Sequence, residues 1–146
     1  MVSRFLALLI GTLALAALRG QFDALPYAPL ADRLWAMAGY YTVLTTLGVA
    51  GMMFAVAKGW RMSGAVAAAM LVAVGLVAVV YAVRLWSSAA MAAGWADYAL
   101  HLGVPLGVGL WWWRFADKTV QRRDWPRLIT WPAIYGLYAL LRGALA

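Results

Sequence analysis

The sequence predicts an all-α protein, a polytopic transmembrane helix bundle with five spans. Three observations carry that prediction. Hydrophobic residues make up 66% of the chain and charged residues 12%, with a mean hydropathy of +0.82, far above soluble-domain usage. Five apolar runs follow one another, most of them joined by short hairpins. Nine tryptophans cluster near the ends of those runs, as an aromatic belt requires. At about 20 residues per span, 146 residues hold five or six spans and little else. Residues 1–146 therefore read as a single integral membrane domain.

The runs cover roughly residues 5–18, 34–57, 62–85, 95–113 and 125–146. The first, FLALLIGTLALAAL behind Arg4, also has the shape of a secretory signal, with Ala14 and Ala16 as small residues at a cleavage position; we read it as a retained span. The second carries GYYTVLTTL, the fourth carries His101 and Pro105, and the fifth follows the loop WRFADKTVQRRDWP. Asp124 and Pro126 mark a helix start there. Trp35, Trp86 and Trp95 fall on one side, and Trp60, Trp111, Trp112, Trp113, Trp125 and Trp131 on the other. No soluble domain, linker, low-complexity tail or strong repeat interrupts the pattern.

A net charge of +7 would suit nucleic acid, but the basic residues sit in short segments between apolar runs and read as topology signals, so no nucleic-acid partner is expected. Arg4, Lys58, Arg61, Arg114, Lys118, Arg122, Arg123 and Arg127 lie on one side; Arg19, Arg33, Arg84 and Arg142 lie on the other. This eight-to-four ratio puts the N-terminus in the cytoplasm of a plasma (bacterial inner) membrane and the last helix end outside. The absence of cysteine excludes disulfides, thiolate metal sites and cysteine nucleophiles within the chain. One histidine and no glutamate argue against a metal centre or bis-histidine haem. No cofactor is expected.

Depth follows from ~1.5 Å of rise per residue. Thr42, eight residues from the outer start of the second run, lies ~12 Å in, and His101, six residues from the outer start of the fourth, lies ~9 Å in. Asp97 precedes His101 by four residues, which stacks carboxylate and imidazole on one helix face. Arg84 and Arg142 fall near the same level, with Tyr81 and Tyr138 about a turn deeper. Pro105 removes the hydrogen bond to the His101 carbonyl and clashes with it, so the helix should kink at the histidine. Gly103 and Gly107 form a small-xxx-small pair for close helix approach. An intramembrane ionisable residue is a functional-site hypothesis by default.

Thr42, Thr45 and Thr46 have i, i+3, i+4 spacing and make one stripe facing the bundle. Threonines in spanning helices commonly bond their own backbone or hold helices together. A histidine at matching depth adds a chemical reading. A hydroxyl becomes a nucleophile when a base takes its proton and a third group orients that base, roles that Thr42, His101 and Asp97 can fill.

These segments resemble the androgen-induced-protein-like membrane family and its bacterial relatives. AGYYTVLTTLGV is similar to that family's Ser-Tyr-Phe-Thr-x-x-Ser-Asn segment in the second helix. HLGVP resembles its His-Tyr-Val-Val-Pro, and WPAIYGLYALLRGAL resembles its Tyr-Pro-x-x-Tyr…Ile-Arg-Gly-Ala-Leu ending. Order and spacing agree over residues 34–145. The resemblance implies a threonine hydrolase that cleaves fatty acid esters of hydroxy fatty acids, with Thr42 as nucleophile and His101 as general base. Gly39 replaces the family's first serine, Thr45 and Thr46 its Ser-Asn pair, and Trp111 an acidic residue beyond the proline. The family has six helices, and the expectation for this chain is a shortened or truncated member.

Around that pair, Asp97 would orient His101, and Arg84 or Arg142 would bind a substrate carboxylate or snorkel to head groups. Thr45, Thr46 or Tyr41 would supply oxyanion donors, and Tyr81 and Tyr138 would complete the substrate-binding set. The site is expected in the outer-leaflet half, with a fatty acid ester as substrate and membrane lipids around it. Two rival readings remain. In one, the protein is a small transporter or proton relay built on His101 and Asp97. In the other, it is a homo-oligomer or a structural subunit that packs its Gly- and Ala-rich faces on a partner membrane protein.

Overall fold

The structure, a computed structural model, describes residues 1–87 and 94–144, and the side chains of residues 85–87 fall outside that description. The belt position expected of Trp86, and Leu145 and Ala146 at the end of the fifth run, therefore lie outside the described residues. Every regular element among the described residues is a helix: α1 Val2–Asp23, α2 Leu30–Ala38, α3 Tyr41–Ala57, α4 Gly64–Ser87, α5 Trp95–Tyr98, a π turn Ala99–Gly103, α6 Val104–Phe115, a 3-10 turn Arg122–Asp124 and α7 Trp125–Ala144. Two helices among the described residues, Val2–Asp23 and Gly64–Arg84, are long and apolar enough to cross a membrane, and α2 with α3 makes a third if the bent pair is one span.

The second run departs from expectation. It is not one straight helix but two, meeting at 92°. Tyr40 is extended, with φ −104° and ψ 125°, and that single residue turns the chain. Three carbonyls at the end of α2 face the break and find donors on one face of α7. Arg142 Nη2 donates to the Trp35 carbonyl (2.6 Å), Tyr138 to that of Ala38 (3.1 Å), and Tyr135 to that of Gly39 (2.7 Å). The last carbonyls of a helix lack intrahelical partners and carry the negative end of its dipole, so a guanidinium and two phenols stabilise the stop. A Cβ at Gly39 would stand 3.1 Å from the Ala36 carbonyl oxygen and 3.2 Å from the Arg142 Cζ, a tight approach that favours glycine at the bend. The straight-helix depth of Thr42 is thereby corrected: it is the second residue of α3.

The other end of α3 stops on a Schellman motif, with Trp60 N–H to the Ala55 carbonyl, Gly59 N–H to the Val56 carbonyl and Gly59 at φ 107°, a conformation that favours glycine. α1 packs along α3 through Ala7, Ile10 and Ala14 against Val49, Ala50 and Met53. It also crosses the fourth run, where a Cβ at Gly107 would lie 3.1 Å from Ile10 and one at Gly103 3.4 Å from Leu13. Both glycines of the small-xxx-small pair thus admit α1.

The basic residues sort to two ends. Arg4 reaches Gly59, and Trp111 Nε1 donates to Ser3 Oγ at 3.2 Å, so the N-terminus, the 58–64 turn and the end of α6 share one end. Arg33 on the Phe22 carbonyl and Arg142 on that of Trp35 mark the opposite one. Trp35 and Trp95 are exposed at the latter end, and Trp60, Trp113 and Trp125 at the former, as belt residues should be. Trp111 is buried, and Trp112 and Trp131 are half-buried; these three pack inward, correcting their assignment to the belt. Asp124 caps the turn before α7, its Oδ2 accepting from Gln121 N–H at 3.0 Å.

Candidate active site

The kink expected at Pro105 takes the form of the π turn, closed by Val104 N–H on the Ala99 carbonyl five residues back. A proline cannot donate to the carbonyl four residues earlier, and the wider turn accommodates the missing bond. It carries His101 toward the start of α3.

There the imidazole is engaged on both sides. Thr42 Oγ1 lies 3.2 Å from His101 Nε2. On the far side, Nδ1 is 2.9 Å from the backbone carbonyl of Asp97 and 3.1 Å from its Oδ1. Both neighbours of Nδ1 are acceptors, so the ring proton sits on Nδ1 and donates to them. Nε2 is left with a lone pair toward Thr42, whose hydroxyl donates. Asp97 is held in turn: Tyr81 donates its hydroxyl to Oδ2 at 2.6 Å, and its ring stacks on the imidazole at 4.4 Å with a 12° interplanar angle. Tyr81 and Tyr98 also meet in a T-shaped ring contact. Four residues from α3, α4, α5 and the π turn form one hydrogen-bonded chain. Its imidazole and carboxylate are 21% and 30% exposed, partly screened yet open to a reactant.

The break in the second run adds a feature that sequence reasoning missed. The intrahelical ladder of α3 begins with Leu44 N–H on the Tyr40 carbonyl at 3.2 Å. The amides of Tyr41, Thr42 and Val43 precede it, at the positive end of the helix dipole. A continuous helix would have consumed them. Glycine at 39 followed by aromatics was the available signal, but an apolar run of spanning length masked it.

The other expected site residues are placed elsewhere. Thr45 accepts from Trp131 Nε1 at 2.8 Å, and Thr46 is buried at 2% exposure. Tyr41 donates to the Ala73 carbonyl at 3.3 Å and meets the Tyr135 ring edge-on at 5.0 Å. Tyr138 and Arg142 bond each other at 2.8 Å and cap α2, with Arg142 also 4.1 Å above the Trp35 ring; their geometry is that of a cap. Arg84 is exposed near the end of α4. Tyr81, expected among substrate contacts, instead buttresses Asp97 and His101. Among the described residues, no three of His, Cys, Asp or Glu gather as metal ligands.

Comparison with protein-family models, with curated proteins and with solved structures returned no match.

Proposed function

We propose that this protein is an intramembrane, threonine-dependent hydrolase of lipid esters. The observation that carries the reading is the ordered chain Thr42, His101, Asp97, with Nε2 facing the hydroxyl and Nδ1 facing acceptors. In the first step His101 Nε2 takes the Thr42 proton as Oγ1 bonds to the ester carbonyl carbon. The oxyanion is stabilised by the first-turn amides of α3. The tetrahedral intermediate collapses, the carbon to alkoxide bond breaks, and the alkoxide leaves with the proton from Nε2. Water, deprotonated by the same nitrogen, then attacks the acyl-threonine, releasing the fatty acid and restoring Thr42. Asp97 stabilises the imidazolium in both steps.

The resemblance to the androgen-induced-protein-like family supports fatty acid esters of hydroxy fatty acids as the substrate class. In this reading the helices make five spans, the N-terminus is cytoplasmic by the eight-to-four charge ratio, and the site lies in the outer-leaflet half. The 92° bend then lays α2 near the membrane plane, where its exposed Leu30, Leu34 and Trp35 meet the head-group boundary.

The test is labelling of detergent-purified protein by a fluorophosphonate, together with hydrolysis of a branched fatty acid ester. Both should disappear in Thr42→Ala and in His101→Ala while helical content and melting persist. Full activity in Thr42→Ala sinks the assignment and moves the proton-relay and partner-subunit readings forward.

A further inference from the structure

Away from the triad, α3, α4 and α7 enclose a groove of about 390 Å³. Its walls are almost wholly apolar, and Gly48, Ala69 and Ala73 keep it wide; a Cβ at Gly48 would meet no atom within 4 Å. Thr42 is not among the lining residues. At the end toward the triad, Tyr41 is bonded to Ala73, and Thr45 is bridged to Trp131. The groove therefore does not lead to the nucleophile, and a reacting ester is a poor occupant.

The opposite end is basic. Arg127 lines the groove with its side chain 67% exposed, and one nitrogen, Nη1, bonds Asp124 at 2.9 Å. A guanidinium has five N–H donors, so it can serve a second anion. Exposed Arg122 and Arg123 precede it on the same connection. With Arg4, Lys58, Arg61, Arg114 and Lys118 they make eight Lys and Arg residues at this end, which outnumber Asp117 and Asp124. An apolar slot with a cationic mouth is complementary to a molecule with a long chain and an acidic head, and arginine pairs well with phosphate. We infer that the groove binds an acyl chain of an anionic phospholipid from the leaflet at the N-terminal end of the bundle, with the phosphate at Arg127. This does not depend on the hydrolase reading.

The test is native mass spectrometry of the full chain in neutral detergent, titrated with phosphatidylglycerol or with phosphatidylcholine of the same acyl chains. Wild type should retain phosphatidylglycerol preferentially. Gly48→Phe, which fills the slot, should abolish that retention. Arg127→Gln should weaken phosphatidylglycerol about fivefold and leave phosphatidylcholine unchanged. Circular dichroism melts establish that each variant is folded, including Arg127→Gln, which also removes the bond to Asp124 Oδ1. Equal retention of the two lipids, undiminished retention by Gly48→Phe, or displacement by oleate at equal potency would overturn the inference.

Discussion

Asp97→Asn tests the proposed mechanism most sharply, because His101 Nδ1 has two acceptors rather than one. The substitution removes the carboxylate charge at 3.1 Å but leaves the backbone carbonyl at 2.9 Å in place. The asparagine oxygen can accept from Nδ1 while its NH₂ turns toward the Tyr81 oxygen. The productive tautomer therefore survives, and the loss is electrostatic. Unit charges 3.1 Å apart interact by ~5 kcal/mol at an effective dielectric of 20 and by ~1 kcal/mol in water. With the two groups 21% and 30% exposed, about 3 kcal/mol is appropriate, or roughly a hundredfold in kcat. The assay is steady-state hydrolysis of a short-chain fluorogenic ester in micelles, with kcat and KM separated. The expected result is a lower kcat at nearly constant KM, with Asp97→Asn well above the residual rate of His101→Ala. Unchanged kcat, or a change in KM alone, would refute an electrostatic role for Asp97. Loss as complete as in His101→Ala would refute the claim that the carbonyl holds the tautomer.

Tyr81→Phe keeps the ring on His101 and deletes only the donor to Asp97 Oδ2; kcat should fall about thirtyfold, within the range of a hydrogen bond to a charged group, with helical content unchanged. Arg142→Met removes the bonds to Trp35 and Tyr138 and should destabilise by ~1–3 kcal/mol, seen as a lower melting midpoint. Because Arg142 acts as a cap, KM for esters with and without a free carboxylate should change in parallel; a selective rise for the carboxylate-bearing ester would restore its role as a substrate contact. In the exposed loop, the Thr119 hydroxyl and then its amide hold the Asp117 carboxyl below its ordinary value of 3.8. That stabilisation is present above the unfolded value and is lost as pH falls through the lower folded value. Thr119→Val should move the Asp117 titration, followed by carboxyl NMR shifts, up toward 3.8.

What the sequence made legible was the spacing between groups along single helices. Asp97 and His101, four residues apart, meet in the structure as that spacing requires, and Pro105 disturbs the helix where the missing amide should be felt. The pairing across helices was also anticipated, but by a different route. A straight second helix brought Thr42 to the level of His101 by counting rise, whereas the structure brings it there by a bend at Gly39 and Tyr40. That bend depends on donors 96 to 107 residues away, at Tyr135, Tyr138 and Arg142, a long-range cap that no local pattern announces. The same cap shows what spacing along one helix leaves open: polar side chains on an apolar helix can serve a ligand or the end of another helix, and the sequence reading considered only a ligand or lipid head groups for Arg142.

The bend also resolves what a threonine gains from its position. Within an unbroken helix, Thr42 would sit beside amides already bonded to carbonyls, and its hydroxyl would be free to bond its own backbone. At the second position of α3 it stands next to the positive end of a helix dipole and opposite an imidazole whose other nitrogen is tied down. Those are the two requirements of acyl transfer, a base for the nucleophile and donors where the oxyanion forms. The free amides follow from the stop of α2 against α7, and the base is supplied by the π turn that carries His101. Loosening that stop should therefore reach the chemistry as well as the fold: Tyr135→Phe, which removes the bond to the Gly39 carbonyl, should lower kcat about tenfold if the elbow positions Thr42, at the scale of one lost hydrogen bond. If melting falls but kcat measured well below the transition stays at the wild-type value, the α7 cap serves stability alone and the elbow is not coupled to the nucleophile.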